Sequence, residues 1–499
     1  MEGNRVINII NFVRGCEPRF EADLMTPIIE EIKLNKKYGF DNTFLLQYDA
    51  MARIDMVDLF QREKDEHMEL GIWIEMSREL VENVGIDWRG RWDWDWYVNP
   101  GFLLAYTKKE KQKIIDLIMS RFKELFGYYP KSAGSWVLDS DSIMYMVQKY
   151  KLDAFCICRE QWGTDGYTLW GGYYNGPYYP SKNHILHPAQ TKEMQIEAPV
   201  FRMLGPDPIY CYSEKIHPTY DKNNYELYTL EPAWNCGQSE KWVEWYFRNL
   251  YRLENMDYTY TQVGQENSFG WKKTVKGLPM QMEHLKQLVD EGKFRVEKLC
   301  DSGKKFKETF VMTPASAYSA LDDWAGNDNQ SVWYSCNRFR LNLFSDEQGV
   351  WIRDLHKFDE NCKDIYLEKP CEESASVYDT LPVVDGLRFG EYGMKCGIYI
   401  GEGKISTVQR EKDKFVVHLM LQGREVAMHI DEASIVIKSD EEFHIEFIYK
   451  KDCLQVKKIL EKKIEYLHNG VSYYLYLEKG FINGNHFHSE GGKIVIRLE

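Results

Sequence analysis

The chain has 499 residues, too many for one hydrophobic core, so two or three domains are expected. Its 44% hydrophobic and 28% charged residues are those of an ordinary globular protein and exclude the disordered class. The 63 Lys and Arg against 77 Asp and Glu give a net charge of −14, which argues against nucleic acid or an anionic membrane surface as partner.

The opening "MEGNRVINIINFVRG" has no basic segment followed by a long apolar one, so no signal peptide is visible and a cytoplasmic location is the expectation, with a secreted chain trimmed of its signal as the alternative. No run of about 18 apolar residues occurs, so no membrane span is expected. The eleven Cys form no CxxC pair and read as free thiols in a reducing compartment.

In chain order, "RVINIINFV" (5–13) is predicted as a buried strand and residues 22–40 as a helix stopped by Gly39. "NTFLLQYDA" (42–50) is the second strand, 54–70 the second helix and "GIWIEM" (71–76) the third strand. After a long insertion comes the helix 107–127, opened by Thr107 with Glu110 three residues on, a capping box. "SAGSWVLD" is strand four, followed by a helix, and "AFCICREQW" (154–162) is strand five. "PIYCY" (208–212) is predicted as strand six, 239–255 as a helix and 257–266 as strand seven. Strand–helix units at this spacing predict a parallel barrel. Past a helical stretch near 278–300 the pattern changes to alternating strands with Gly and Asp turns, from "ETFVMTP" (308–314) to "KIVIRLE". The expected fold is α/β: a (β/α)7-type barrel followed by an antiparallel β-sandwich. The expected domains are a catalytic barrel over 1–275, a helical connection over 276–305 and the sandwich over 306–499.

In such barrels the reactive groups sit where strands run into helices. Asp49 ends strand two, Glu75 strand three, Asp139 and Asp141 strand four, Glu160 strand five with Asp165 beyond it, and Glu266 strand seven. One such acid is ordinarily a helix cap or an ion-pair partner. Carboxylates at five strand ends crowd like charges on one rim, which costs energy unless they are paired or used. Two loops add aromatic walls. Residues 85–102 carry Trp88, Trp92, Trp94 and Trp96, and residues 161–188 carry Trp162, Trp170 and Tyr173, neither with helical or strand periodicity. Flat rings stack on sugars while carboxylates and Arg14 bond hydroxyls. Carboxylates in an aromatic cleft are what hydrolysis of a glycosidic bond requires, one carboxyl protonated and the other ionised.

"SWVLDSDS" resembles the strand-four motif of the glycoside hydrolase/deacetylase superfamily of seven-stranded β/α barrels, in which a Trp-x-x-Asp (family 38) or Trp-x-x-Glu (family 57) carries the nucleophile; the matching residue is Asp139. "GQENSFGW" (264–271) is similar to the strand-seven Asp-x-Glu-x-Phe-Gly of family 57, whose acid/base Asp is replaced here by Gly264, which leaves Glu266 for that role. The group of proteins resembled is bacterial. Family 38 holds zinc with a His-x-Asp at strand one, whereas this chain reads "NFVRGCEPR"; the deacetylases use His-x-x-x-His, whereas here the nearest is "HILH" (184–187). The resemblance therefore implies a metal-independent, retaining glycosidase acting on an oligo- or polysaccharide, without cofactor. Its nucleophile would be Asp139 and its acid/base Glu266, with the other rim acids and aromatics binding substrate. The alternatives are a metal-dependent carbohydrate deacetylase and a non-catalytic carbohydrate-binding protein. The sequence leaves the oligomeric state open.

Overall fold

The computed structural model describes residues 4–164, 166–213, 226–252, 256–389, 395–450 and 456–499. Eight parallel strands build the N-terminal sheet. Seven lie on one path in the spatial order Val200–Arg202, Ala154–Ile157, Ser132–Gly134, Met68–Trp73, Asn42–Leu46, Asn4–Val13 and Tyr258–Val263. The eighth, Arg295–Glu297, pairs with the lower half of the first strand, where Val6 faces Arg295. Helices cover the sheet, so most strand residues are buried on both faces. The first strand shows this best: Val6, Ile7, Ile9, Ile10, Phe12 and Val13 are each at most 1% exposed.

The sheet curls until its edges meet through side chains rather than a strand ladder. Phe201 and Tyr260 face each other with ring centroids 5.0 Å apart, Gln262 Oε1 accepts the Leu204 N–H at 2.9 Å, and Asn175 Nδ2 donates to the Tyr260 carbonyl at 3.2 Å. The result is a barrel open along one seam. Helices pack outside; Lys108–Phe126 begins with the anticipated capping box, Thr107 and Glu110 each accepting the other's backbone N–H.

Strand six is Val200–Arg202, not 208–212. The latter stretch is a turn because the Asp207 carboxylate accepts the N–H groups of Ile209 and Tyr210 at 2.8 and 2.9 Å, a local bond that competes with any ladder. "ETFVMTP" also differs: residues to Thr309 finish the helix Leu299–Thr309, and the antiparallel strands begin at Ser316. From there a nine-stranded and an eight-stranded sheet face each other across one apolar core, with Val332, Leu341 and Ile352 of one packed with Val417, Ile437 and Leu475 of the other.

Residues 161–188 contain strands after all. Gln161–Thr164 and Tyr167–Trp170 form a hairpin, and Ser376–Asp379 from the β-rich half adds to it in parallel, Tyr167 facing Ser376. Pairing with residues some two hundred positions away needs no local alternation, so the sequence shows none. Beneath this hairpin lies a buried ion network. Glu160 forms ion pairs with Arg202 and Arg340, each at 2.8 Å, and Arg340 continues to Asp354 at 2.7 Å. All four side chains are at most 7% exposed. Removing one partner of a buried pair strands the other charge. Arg340→Met is therefore expected to destabilise the protein by about 3–5 kcal/mol, whereas Lys192→Met, which breaks the exposed pair with Glu197, shifts stability by less than about 1 kcal/mol; paired denaturant melts measure both.

Candidate active site

Arg14, the first residue past strand one, points into the top of the barrel and is 2% exposed. Its guanidinium is the hub of the site. Nε and Nη2 donate to Glu75 Oε2 and Oε1, both at 3.1 Å, and Nη1 donates to Glu266 Oε1 at 2.9 Å. The face of Trp94 lies 4.2 Å from the guanidinium carbon. Glu75 stands two residues past strand three and Glu266 three past strand seven, so the first, third and seventh strands deliver their ends to one point. The strand-seven loop is locked to the strand-one loop, since Asn267 Oδ1 accepts the Arg14 N–H and Asn267 Nδ2 donates to the Arg14 carbonyl, both at 2.9 Å. Ser268 Oγ donates a short hydrogen bond to Glu266.

These groups line a cleft of about 670 Å³, its open mouth included. Its walls are Trp94, Trp96, Phe102, Trp136, Tyr167, Trp234 and Phe269, with Arg19, Arg159, Gln161 and a third carboxylate, Glu231. Glu231 accepts from Thr229 Oγ1 at 2.9 Å and from Gln265 Nε2 at 3.2 Å, while Gln265 Oε1 accepts the Glu266 N–H at 2.9 Å, so Gln265 bridges the two acids.

Burial pushes Glu75 up to about 7; Arg14 opposes this, and the neighbouring charge of Glu266 adds to it. Glu231 is also raised, by burial, against the pull of Arg159 and its two hydrogen bonds. Glu160 moves the other way: burial acts to raise it, but Arg340 and Arg202 outweigh that and hold it below the usual carboxylate range.

The candidates from the sequence divide accordingly. Arg14, Glu75, Glu266, Trp94 and Trp96 meet in the cleft. Trp92 is 38% exposed and stacks on Trp96 from outside at 5.1 Å, and Trp88 donates its Nε1–H to the Trp92 carbonyl at 2.6 Å. Asp49 accepts the N–H groups of Cys16 and Ala50, tying down the loop after strand one. Asp139 does not line the cleft. It is fully buried, caps the helix Ser140–Tyr150 through Ser142 N–H and Oγ at 3.0 and 2.8 Å, and pairs with Lys111 at 3.1 Å. Asp141 pairs with Lys108 on the outer surface at 3.1 Å. From "SWVLDSDS" it is Trp136 that reaches the cleft. Glu160 and Trp170 belong to the layer beneath, Trp170 donating to Asp385 at 2.9 Å. Trp162 packs edge-on against Trp170 at 5.8 Å, and the Tyr173 hydroxyl donates to the Pro314 carbonyl at 2.7 Å. Asp165 lies outside the described residues.

Glu231 and Arg159 were missed. Glu231 sits in "LEPAWNCG", which has neither strand nor helix pattern; Trp234 three residues on is the one local hint.

Gly264 also receives a physical account. Its φ is +113°, and a Cβ there would lie 2.2 Å from the Ile10 carbonyl oxygen. No Asp fits at this position of the strand-seven motif.

Among the described residues no three His, Cys, Asp or Glu side chains gather so as to hold a metal ion. Between Glu75 and Glu266, where a divalent cation would be bound, stands the guanidinium of Arg14. The residues of the cleft do not suit a catalytic metal.

No family model and no curated protein matches the chain. Among solved structures it is similar to a protein of Parabacteroides distasonis provisionally named a glycoside hydrolase/deacetylase, with a TM-score of 0.54 and 14% identity over 76% of this chain and 91% of that one. Fainter likenesses are to a protein of Mycobacterium smegmatis provisionally named a polysaccharide deacetylase (TM-score 0.35, 10% identity, 62% of this chain and 92% of that one) and to an alpha-amylase of Thermotoga maritima (TM-score 0.34, 9% identity, 62% and 75%). What the chain shares with the Parabacteroides protein is the fold, a curled parallel sheet with its helices and a β-rich C-terminal region. No described helix is long and apolar enough to cross a membrane.

Two outcomes follow. With Glu75 raised from 4.5 to about 7, the folded state binds more protons than the unfolded one across that interval. Stability therefore falls as pH rises from about 4.5 to 7, and Glu75→Gln flattens this segment of the profile in melts against pH. Gly264→Asp is expected to cost more than about 1 kcal/mol from backbone strain and the Ile10 clash together, read in the same melts.

Proposed function

We propose that the protein is a glycoside hydrolase that cleaves an oligo- or polysaccharide with two carboxylates and no metal. The observation that carries this reading is the pair Glu75 and Glu266 on opposite arms of one buried guanidinium, in a cleft walled by aromatic rings. The fork spans about 2.3 Å between its nitrogens, so the nearest oxygens of the two carboxylates lie no more than about 8 Å apart. That bound admits the carboxyl separations of retaining glycosidases and the shorter ones of inverting glycosidases.

In this reading Glu75, partly protonated at neutral pH, donates a proton to the glycosidic oxygen as the bond breaks. Its new charge falls on the Arg14 fork it already faces, so the proton leaves without a carboxylate being stranded in an apolar site. Glu266, held by Arg14 and Ser268 at a single oxygen, turns its other oxygen to the sugar. There it attacks the anomeric carbon or accepts a proton from water while positive charge develops on the ring. Glu231 and Gln265 bond hydroxyls, and Trp94, Trp96 and Trp136 stack against apolar ring faces. The barrel of residues 1–275 carries the chemistry, and the β-rich half over 306–499 supports the wall made by Arg159, Gln161 and Tyr167.

The nucleophile role thus passes from Asp139 to the carboxylates around Arg14, since a buried cap paired with Lys111 has no access to substrate. A panel of aryl glycosides, with the product anomer read by NMR, tests the reading. Glu75→Gln and Glu266→Gln should each lower turnover by about 10²–10⁴-fold with the fold retained, and the basic limb near pH 7 should vanish in Glu75→Gln. Asp139→Asn should lose stability before it loses activity. Binding of sugars with no cleavage of any member would favour a lectin-like role for the same cleft.

A further inference from the structure

The mouth of the cleft carries aromatic rings that the proposed reaction does not use. Among the large apolar side chains exposed in the described residues are three rings, Phe20 at 48%, Trp92 at 38% and Tyr97 at 38%. Trp92 stacks on the cleft residue Trp96 with centroids 5.1 Å apart and planes 14° apart, and Tyr97 meets the same ring edge-on at 6.0 Å. Phe20 lies 5.6 Å from the guanidinium carbon of Arg19. That carbon also lies 5.3 Å from Trp96 and 4.9 Å from Trp94, the ring that covers Arg14. Rings and cations thus run without a break from the Glu75–Arg14–Glu266 hub to the outer surface.

We infer that Phe20, Trp92 and Tyr97 form an outer sugar-binding platform, and that the substrate is a saccharide chain longer than a disaccharide, running from the hub past Trp96 onto Trp92. The inference rests on the reading of the cleft as a carbohydrate site. Rings left in water forgo the free energy of burial, so an exposed cluster held in place is a contact surface. This one is held. Asp95, 1% exposed, accepts the Arg91 backbone N–H and Nε–H at 2.9 Å, its Nη2–H at 2.7 Å and the Tyr97 N–H at 3.2 Å. Rings fixed before binding lose little freedom on contact. Charged groups stand among them: the Arg91 guanidinium carbon is 3.6 Å from the Tyr97 ring centroid, and the exposed pair Arg78–Asp93, at 3.2 Å, adjoins Trp92 in the chain. Ring faces bordered by polar groups suit the apolar faces and hydroxyls of a sugar. Trp, Tyr and Arg also serve protein partners; continuity with the cleft favours the saccharide.

The test titrates the full chain calorimetrically with cello-, xylo-, malto- and manno-oligosaccharides, each from disaccharide to hexasaccharide. Glu75→Gln is titrated in parallel to suppress cleavage. In the series that binds, affinity should rise beyond the disaccharide, and Trp92→Ala should cut that rise by about tenfold. Oxidation by N-bromosuccinimide, mapped by mass spectrometry, should show Trp92 protected by the hexasaccharide and not by the disaccharide. Affinity that stays flat beyond the disaccharide in every series, as a patch for a protein partner would leave it, overturns the platform. So does a rise that survives Trp92→Ala and Phe20→Ala combined, or the absence of binding in all four series. Length-dependent binding without cleavage of any aryl glycoside would sink the hydrolase and leave the platform standing; cleavage with flat affinity would do the reverse.

Discussion

A single buried cation organises the top of this barrel. Arg14 cannot be left unpaired in an apolar interior, and its planar fork accepts two carboxylates only from defined directions. Glu75 and Glu266 come from strands on either side of strand one, and Asn267 clasps the backbone beside Arg14. The cleft and its aromatic lining surround this arrangement. Burial raises Glu75 to about 7 against the pull of this guanidinium, and the Trp94 ring lies over its face.

A second, deeper arrangement of the same kind joins the two halves of the molecule. Glu160 follows strand five of the barrel, whereas Arg340 and Asp354 belong to the facing β-rich half, and they meet in a layer closed to water. The hairpin above it takes its third strand, Ser376–Asp379, from that half. The wall formed by Arg159, Gln161 and Tyr167 therefore depends on both halves being present. Acids at the barrel rim thus serve two ends: Glu160 is a structural anion between arginines, and Glu75 an acid near its titration point. Both are buried; the number of neighbouring guanidinium groups decides between them.

The chain shares its fold with the Parabacteroides protein, and a shared fold leaves the residues of the rim undetermined. Strand four here supplies Trp136 to the cleft and uses its acid as a cap, and strand seven carries Gly264 where a side chain would strike the Ile10 carbonyl. The carboxylates stand instead at strand three, at strand seven and in the loop holding Glu231.

Sequence alone determined what depends on local periodicity and composition: the parallel strands with their apolar runs, the Thr107 capping box and the switch to antiparallel strands past residue 310. It also marked Arg14, Glu75, Glu266, Trp94 and Trp96 as residues at strand ends or in aromatic loops. Which rim acids face the cleft could not be read there, because Asp139 and Glu75 have the same local pattern and differ only in the partners that folding brings, Lys111 and Ser142 for one, Arg14 for the other. The strands at 161–170 and the carboxylate at 231 were invisible for the same reason. Their roles rest on contacts with residues far along the chain, and such contacts exist only once the tertiary structure has closed.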